Sequence, residues 1–335
     1  MIVPLAGCSD DKIVYLLNWG DYLDKDVKDQ FEARTGITVR ETIVESNEEM
    51  IEKLMRDDCR YDLCIPSDYA VEMLVKNGRL AELDMKNIPN IKNIDDSYLG
   101  RDFDPENKYS VPYTWGVMGI LYNKTKVDEA DLGSWDILWN EKYAGEIYMY
   151  DSLRDTLGAA LCSLGYSLNS TDPDELREAG DRLIAQKPLV KGWGTDDNKD
   201  RMVEGEGAVA LVFNGDAVWC TDPEDGNDDL GFYFPGNSNI FLDSFVIPKS
   251  ASHKKYAEKF INFLLDPEIA AQNIDAVGYS TPNSAAFELL EEHWKNNPTF
   301  NIPKEQLAGL EIQRDLGEAI ALYEEQWERI FKSEE

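Results

Sequence analysis

Histidine is almost missing from this chain of 335 residues, which contains only His253 and His293. His253 lies in a Ser-His-Lys-Lys turn and His293 in a polar helical segment, and neither has the setting of a nucleophile–base pair. Clusters of Cys and His at metal-ligand spacing are missing as well, so we expect no metal site. The sequence also lacks a Gly-x-Ser-x-Gly elbow, a Gly-Lys-Ser phosphate loop and a His-Glu-x-x-His helix. We therefore predict no catalytic residue and no cofactor, which argues against an enzyme.

Basic residues are scarce relative to acidic ones, with 33 Lys and Arg against 65 Asp and Glu and a net charge of −32. Proteins that bind nucleic acid contact phosphates through clustered Lys and Arg, so this balance argues against nucleic acid as a partner. An acidic surface keeps a protein soluble and is also compatible with steering a cationic ligand toward a cleft. No run approaches the roughly 18 apolar residues that a membrane-spanning helix needs.

Cysteines are few, and the first of the five differs from the others in its setting. Residues 5–8, Leu-Ala-Gly-Cys, have the pattern of a lipoprotein processing box, and residues 9–12 have the polarity of a tether. Because no basic or complete apolar signal segment precedes Cys8, we expect the sequence to begin inside its own signal peptide. Cys8 is therefore a predicted lipidation site. The other four cysteines are Cys59, Cys64, Cys162 and Cys220, which allow three disulfide pairings. Cys64 lies in a predicted buried strand, where a free thiol is expected.

The length of 335 residues exceeds what one hydrophobic core usually supports, so we expect two lobes. Apolar residues make up 43% of the chain and aromatic residues 11%, which is typical of globular proteins. Repeats, low-complexity tracts and flexible linkers are missing, which predicts a hinged clamshell whose chain crosses between the lobes more than once. We assign residues 1–11 to the lipoprotein tether, 12–120 and 245–285 to an N-lobe, and 121–244 and 286–335 to a C-lobe.

Strand and helix patterns alternate along the chain, as they do in α/β proteins. Strands are predicted at 13–17, 37–43, 61–66, 146–150, 207–213 and 245–248, and helices at 24–34, 48–56, 151–164, 174–186, 255–265 and 315–331. This succession predicts a mainly parallel sheet. Ligands of such sheets bind beyond the carboxyl ends of the strands, where residues 19–22 and 67–69 are expected.

Three distant segments each place an aromatic ring two or three residues from an aspartate, at predicted strand ends. They are Trp-Gly-Asp-Tyr at 19–22, Phe-Asn-Gly-Asp at 213–216 and Phe-Leu-Asp at 241–243. A carboxylate neutralises an organic ammonium ion and accepts its N–H hydrogen bonds. A ring packs on the methylene groups and adds a cation–π interaction of about 0.5–2 kcal/mol. Any one of these segments alone could be a surface acid beside a core ring, but together they predict a cation-binding cleft.

Two of these segments belong to a longer series of motifs: Asn-Trp-Gly-Asp-Tyr at 18–22, Glu-Ser-Asn-Glu at 45–48, Tyr-Asp-Leu at 61–63 with Pro-Ser at 66–67, Pro-Tyr-Thr-Trp-Gly at 112–116, Phe-Leu-Asp-Ser at 241–244, Ile-Asn-Phe-Leu-Leu at 261–265 with Pro267, and Gly-Tyr-Ser-Thr-Pro-Asn at 278–283. In these motifs the chain resembles the spermidine/putrescine-binding proteins of bacterial polyamine ABC importers. The resemblance covers nearly the whole chain. It implies a two-lobed periplasmic-binding-protein fold of the α/β class, with a ligand cleft between the lobes.

The resemblance also implies a function and partners. The lobes are expected to close over a linear polyamine and to deliver it to a membrane permease with its ATPase. The protein is then extracytoplasmic, either periplasmic or held at the outer face of the cytoplasmic membrane by a lipid on Cys8, and it acts as a monomer.

Ligand-binding residues follow from the resemblance by position. The rings along the aliphatic chain of the ligand are Trp19, Tyr22, Phe213 and Phe241, with further contacts from Tyr69 and Tyr279. The acids are Asp243 and Asp155, the late amide is Gln313, and the polar positions at the rim are Ser67 and Thr195. Ser152 stands where spermidine-preferring relatives carry an aspartate, whereas Asp21 and Asp216 match the acids that hold the second ammonium in putrescine-preferring relatives. The choice between putrescine and spermidine therefore stays open.

A sugar- or oligosaccharide-binding lipoprotein of an ABC importer is the alternative, because aromatic walls with acids also bind sugars. The number of carboxylates discriminates between the two. Sugars need amides and few acids, whereas three or four carboxylates in one cleft favour a cationic ligand.

Overall fold

A computed structural model describes residues 12–195, 197–223 and 226–332, so Cys8 and the predicted tether lie outside the described residues. Within these ranges the chain forms nine strands and twelve α-helices, arranged as the predicted two-lobed α/β protein. In the same ranges, no helix combines the length and the apolar character needed to cross a bilayer.

The strands form one continuous mixed sheet. They are β1 (Ile13–Asn18), β2 (Thr38–Ile43), β3 (Leu63–Cys64), β4 (Ser110–Asn123), β5 (Ile147–Tyr150), β6 (Val190–Gly194), β7 (Val209–Phe213), β8 (Leu230–Tyr233) and β9 (Ile240–Val246). Their order is β2-β1-β3-β9-β4-β7-β5-β6, with β8 paired to β4. β1 is parallel to β2 and β3, as predicted, and β5 is parallel to β6 and β7. The prediction of a mainly parallel sheet is nevertheless wrong, because β4 and β9 run antiparallel to their neighbours.

The helices cover both faces of this sheet. They are α1 (Lys25–Thr35), α2 (Asn47–Met55), α3 (Asp68–Lys76), α4 (Leu153–Ser163), α5 (Pro173–Gln186), α6 (Asp197–Val203), α7 (Asn214–Cys220), α8 (Lys254–Leu264), α9 (Pro267–Val277), α10 (Ser284–Leu289), α11 (Glu292–Asn296) and α12 (Ile320–Lys332). Local signals explain many of the boundaries. Asp24 caps α1 by accepting the N–H of Asp26, and Gly36 ends it in the left-handed conformation with φ +66°.

The long strand β4 joins the two halves of the sheet. Residues 110–117 pair with β9, and residues 118–122 pair with β7. Where the partner changes, the N–H of Val117 donates to Asn214 Oδ1 at 2.8 Å. The next N–H, of Met118, donates to Asn239 Oδ1 at 2.9 Å. Two buried asparagine side chains thus take the place of a strand partner at the crossing.

A second crossing lies near the C-terminus, around Arg314. Its guanidinium donates to Glu72 of α3, at 3.1 and 3.2 Å, beside the first half of the sheet. Its main-chain N–H donates to Asn169 Oδ1 at 2.8 Å, and its carbonyl accepts from Arg154 of α4, both beside the second half. The chain therefore crosses between the halves more than once, as expected for a clamshell.

Each half of the sheet has its own hydrophobic core. Phe31 and Phe260 pack with ring centroids 4.6 Å apart in the core beside β1. Trp135, Leu157 and Tyr323 belong to the core beside β5 and β7. Separate cores beside the two halves agree with the expectation of two lobes from chain length, and the residue boundaries of the lobes stay a prediction.

The strand predicted at 61–66 is shorter in the structure, where β3 has two residues. Pro66 has no N–H to give to a ladder. The carboxylate of Asp62 accepts the N–H groups of Tyr15 and His253, at 3.1 and 2.8 Å, so side-chain hydrogen bonds replace strand pairing here.

The last predicted strand is displaced along the sequence. β9 contains Phe241 and Asp243, whereas the sequence pattern predicts a strand at 245–248. These two residues lie inside a strand, and the prediction that their segment lies at a strand end is wrong. An aspartate in a strand interior breaks the expected pattern. It is accommodated beside an irregularity in β4 between Pro112 and Thr114.

Helix α12 begins later than the residue 315 predicted from its pattern. The N–H of Asp315 donates to Glu72 at 3.0 Å, and its carboxylate pairs with Lys76 at 3.0 Å, which holds this residue in the crossing segment. Gly317 then adopts a left-handed φ of +54°. Tertiary contacts therefore delay the start of the helix.

Candidate functional site

A cavity of about 640 Å³ lies between the two halves of the sheet, within the size range of small-molecule sites. All the residues predicted to contact a ligand line it: Trp19, Asp21, Tyr22, Ser67, Tyr69, Asp155, Thr195, Phe213, Asp216, Phe241, Asp243, Tyr279 and Gln313. The structure thus brings the predicted site together around one space. Their roles in binding stay a prediction.

A chain of aromatic rings forms one wall of the cavity. Tyr22 and Tyr279 meet edge to face with ring centroids 5.3 Å apart, and Tyr279 meets Phe241 in the same way at 5.9 Å. Phe241 continues to Phe213 at 5.2 Å, and Phe213 to Tyr150 at 5.6 Å. Each ring fixes its neighbour, so the wall presents ring surface to a ligand with little freedom to rearrange.

The indole of Trp19 lies on the side of the cavity next to β1. Its Nε1–H donates to the carbonyl of Ile65, the residue after β3, at 2.7 Å. This hydrogen bond explains why a tryptophan is placed directly after β1, since its polar end reaches across to the neighbouring strand.

Asp243 is a buried acid with an incomplete set of partners. Its Oδ2 accepts from the hydroxyl of Tyr22 at 2.7 Å, and that hydroxyl also contacts Thr114 Oγ1 at 2.5 Å. Its Oδ1 is buried and makes no hydrogen bond of normal geometry in the described part of the chain, although the hydroxyl of Ser67 is near enough to lower the pKa of this carboxyl. Burial raises the pKa of Asp243 to about 6. A buried carboxylate oxygen without a donor is costly, so this atom is suited to receive a donor from a ligand.

A second buried acid, Asp68, holds β9 in place beside Asp243. Its two oxygens accept the N–H groups of Tyr69 and Leu242, at 2.8 and 3.2 Å. Burial raises the pKa of Asp68 to about 8. Because its oxygens already serve the main chain, Asp68 is a positioning residue for the strand that carries Asp243.

Another acidic region lies at the start of α4. Asp155 accepts from Ser152 Oγ at 2.7 Å and from Gln313 Nε2 at 3.1 Å. Nearby, Tyr69 donates its hydroxyl to Glu48 at 3.0 Å. Burial raises the pKa of Asp155, and the neighbouring charge of Glu48 raises it further. The amide of Gln313 therefore supports this acid as well as lining the cavity.

A third acidic region is formed by Asp216 and Asp21. Asp216 Oδ2 accepts from the hydroxyl of Tyr150 at 3.0 Å. The ammonium of Lys199 lies 3.5 Å from Asp216 Oδ1 and 3.7 Å from Asp21 Oδ2. Asp21 stands on the lip of the cavity, with 86% of its side chain exposed and a left-handed φ of +48°.

The two polar rim positions differ in how they are held. Ser67 precedes α3, and its hydroxyl accepts from Asn47 Nδ2 at 3.0 Å while its N–H donates to Asn47 Oδ1. Thr195 lines the cavity between β6 and α6.

No group of three or more His, Cys, Asp or Glu residues with the geometry of a metal site occurs in the described ranges. Cys59, Cys64, Cys162 and Cys220 are free thiols, as predicted for Cys64.

Sequence comparison assigns the chain to a family. The family described as bacterial extracellular solute-binding protein matches residues 26–302. This chain belongs to that family. The solute-binding protein is 36% identical over 327 residues to the spermidine/putrescine-binding periplasmic protein of Escherichia coli K12, covering 97% of this chain and 93% of the relative.

Solved structures support the same assignment. A protein of Listeria monocytogenes superposes on the solute-binding protein with a TM-score of 0.91 and 36% identity, covering 96% of this chain and 99% of the other. A lipoprotein of Treponema pallidum superposes with a TM-score of 0.84 and 30% identity, covering 95% and 99%. The resemblance to binding proteins of polyamine ABC importers and the periplasmic-binding-protein fold are confirmed.

Three of the cavity residues that sequence reasoning missed bear on the chemistry of the site. Tyr150 ends β5, so the rule that ligands bind beyond strand ends could have found it. Asp68 follows a serine cap and has the pattern of an ordinary helix start. Lys199 lies in the run Asp-Asp-Asn-Lys-Asp-Arg at 196–201, which has the composition of a solvated surface, and no sequence signal distinguishes it.

Proposed function

We propose that this solute-binding protein captures a linear polyamine, putrescine or spermidine, between its two lobes for delivery to an ABC permease. The observation that carries the proposal is Asp243 Oδ1, a buried carboxylate oxygen without a donor in the described ranges, beside an aromatic wall. An alkylammonium supplies the missing hydrogen bond and the opposite charge, whereas a sugar hydroxyl supplies only the hydrogen bond. The ligand named for the Escherichia coli relative belongs to the same class.

The distribution of acids supports a ligand with more than one charge. Asp155, Asp243 and Asp216 line the same cavity, and the charge of Asp155 contributes to the raised pKa of Asp243. Rings between these acids provide a surface for methylene groups. Alternating ammonium groups and alkyl segments match this arrangement, whereas the hydroxyl-covered faces of a sugar do not.

Capture requires movement of the lobes and no chemical step. The cavity takes residues from both halves of the sheet, so a ligand contacts all of them only when the lobes are closed. A ligand that binds the closed form better shifts the equilibrium toward it. Carboxylates without partners are costly to remove from water, so the empty protein favours the open form. On this proposal the protein is a carrier and not an enzyme.

We further propose that the monomer works outside the cytoplasmic membrane, held there by a lipid on Cys8. The lipoprotein pattern at residues 5–8 is the basis, and the structural relative from Treponema pallidum is named a lipoprotein. The permease and its ATPase are the membrane partners that the function requires.

Calorimetric titration tests the ligand class. Putrescine and spermidine are expected to bind one molecule per chain, because two or three ammonium groups match the acids of the cavity. A maltooligosaccharide serves as the comparison ligand and is expected to give no heat of binding. Heat from the sugar, with none from either polyamine, contradicts the proposal and supports the alternative.

Binding is also expected to depend on pH through Asp243, whose pKa is raised by burial to about 6. A cation prefers the ionised form, so affinity is complete above this pKa and falls below it. At pH 5 about one carboxyl in ten is ionised, which lowers the apparent affinity about tenfold, and the raised pKa of Asp155 acts in the same direction. Titration near pH 6 in buffers of different ionisation enthalpy should show proton release on binding. Equal affinity at pH 7.5 and pH 5 contradicts this role for Asp243.

A further inference from the structure

Lys199 contributes an ammonium group of the protein's own to the cavity. It lies on α6, and its side chain is 16% exposed. Its Nζ is 3.5 Å from Asp216 Oδ1 and 3.7 Å from Asp21 Oδ2. Asp21 follows β1 in the first half of the sheet, and Asp216 lies on α7 in the second half. The lysine therefore joins acids that belong to different sides of the cavity.

The pairing with Asp216 is stronger than the pairing with Asp21. Asp216 has 11% of its side chain exposed, whereas Asp21 has 86% exposed, so the charge of Asp21 is well screened by water. Both oxygens of Asp216 are engaged, one by Lys199 and the other by the hydroxyl of Tyr150. In this respect Asp216 differs from Asp243, which keeps a buried oxygen without a partner in the described residues.

A lysine side chain and the end of an alkyl diamine have the same chemistry. Both carry a primary ammonium with three N–H donors on a flexible alkyl stem. The position between Asp216 and Asp21 is therefore an alkylammonium site that the chain itself fills. A ligand ammonium that reaches these acids has to displace Lys199.

We propose that Lys199 is a tethered competitor for the Asp216 end of the cavity and thereby determines how tightly polyamines bind. This inference rests on the proposed function. At Asp243 a ligand ammonium meets an oxygen without a partner, whereas at Asp216 it exchanges one ammonium for another. Lys199 thus reduces what a second ammonium contributes to affinity. Without the charge of Lys199, a ligand ammonium pairs with Asp216 and does not have to displace another ammonium first.

The test compares Lys199→Met with the wild type by calorimetric titration of putrescine. Methionine has a similar length without the charge, and the position is partly exposed, so the variant is expected to fold. Putrescine should bind at least about tenfold more tightly to the variant, because a buried carboxylate gains a charge-assisted partner. The same substitution in an Asp216→Asn background should change the affinity less than about threefold, because the carboxylate for which the two ammonium groups compete is gone.

Lys108→Met is the matched control. Lys108 is not among the residues that line the cavity, and its side chain is 48% exposed and pairs with Glu82 at 3.3 Å. Lys108→Met removes the same charge from an acidic protein and should change the affinity less than about twofold, because exposed charges are well screened. A similar gain in both variants assigns the effect to net charge and overturns the proposal.

The remaining outcomes separate this inference from the proposed function. If the wild type binds putrescine and Lys199→Met binds it equally or more weakly, Lys199 is not a competitor, and only this inference fails. If neither protein binds putrescine or spermidine, the proposed function fails and the inference fails with it.

Discussion

Replacing Asp243 with asparagine is expected to weaken polyamine binding by roughly 2–5 kcal/mol, which is about 30-fold to several thousand-fold in affinity. Asparagine keeps the shape of the side chain and an oxygen for the hydroxyl of Tyr22, which donates at 2.7 Å. The substitution removes the charge, and the second carboxylate oxygen is replaced by an amide donor or by a weaker acceptor. A buried ammonium then lacks its counter-charge. Calorimetric titration of putrescine and spermidine near pH 7.5 measures the loss.

Glu106→Gln provides the control for Asp243→Asn. Glu106 is exposed, and this variant changes the net charge by the same amount, so its affinity should equal that of the wild type. An Asp243→Asn variant that binds as tightly as this control removes Asp243 from the site.

Asp243→Asn should also stabilise the empty protein at neutral pH. Asp243 has a pKa of about 6 in the folded state, above the usual value of an aspartate, so the folded state binds the extra proton. The contribution of Asp243 to the free energy of unfolding is complete at low pH and is lost as the pH rises through the folded-state pKa. At a pH above this pKa the loss approaches roughly 3 kcal/mol. Urea unfolding of the empty Asn variant should therefore show a smaller decrease in stability between about pH 4 and pH 7 than the wild type does.

Gly215→Ala is expected to lower the free energy of unfolding by roughly 1–3 kcal/mol and also to weaken polyamine binding. Gly215 lies in the first turn of α7, directly before Asp216. A methyl group there would meet ring atoms of Tyr279 at 2.4 Å. Tyr279 would have to move, and it packs edge to face on both Tyr22 and Phe241. Urea unfolding gives the stability, and calorimetry gives the affinity.

Gly158→Ala is the matched control for this prediction. Gly158 is also helical, within α4, but a methyl group there would meet Leu168 at an ordinary 3.7 Å. Because alanine is more stable than glycine inside a helix by about 0.5–1 kcal/mol, Gly158→Ala should be more stable than the wild type. If both alanine variants gain stability, the close packing of Tyr279 on Gly215 does not constrain the site.

Much of the site could be predicted because its residues follow strand ends. Trp19, Asp21 and Tyr22 come after β1, and Phe213 ends β7. β1 and β7 run in opposite directions in the two halves of the sheet, so residues at their carboxyl ends meet in the cavity between the halves. The positions taken from the family resemblance line the same cavity.

Other features depend on contacts that no local pattern reveals. β4 contains Pro112, Gly116 and Gly119, which weaken the usual strand signal, and its pairing depends on distant partners. Asp243 sits inside β9 because Asp68 and the irregular register of β4 hold the strand there. Lys199 could not be found, since its role follows from the approach of two acids that are far apart in the sequence.

The asparagine contacts at the middle of β4 have a mechanical consequence. Asn214 and Asn239 receive the N–H groups of Val117 and Met118 through side-chain amides, which rotate about their own torsions. Ladder hydrogen bonds between two main chains have no such freedom. We therefore expect β4 to bend between residues 117 and 118 when the lobes move, because these side-chain hydrogen bonds can follow a rotation that a main-chain ladder would resist.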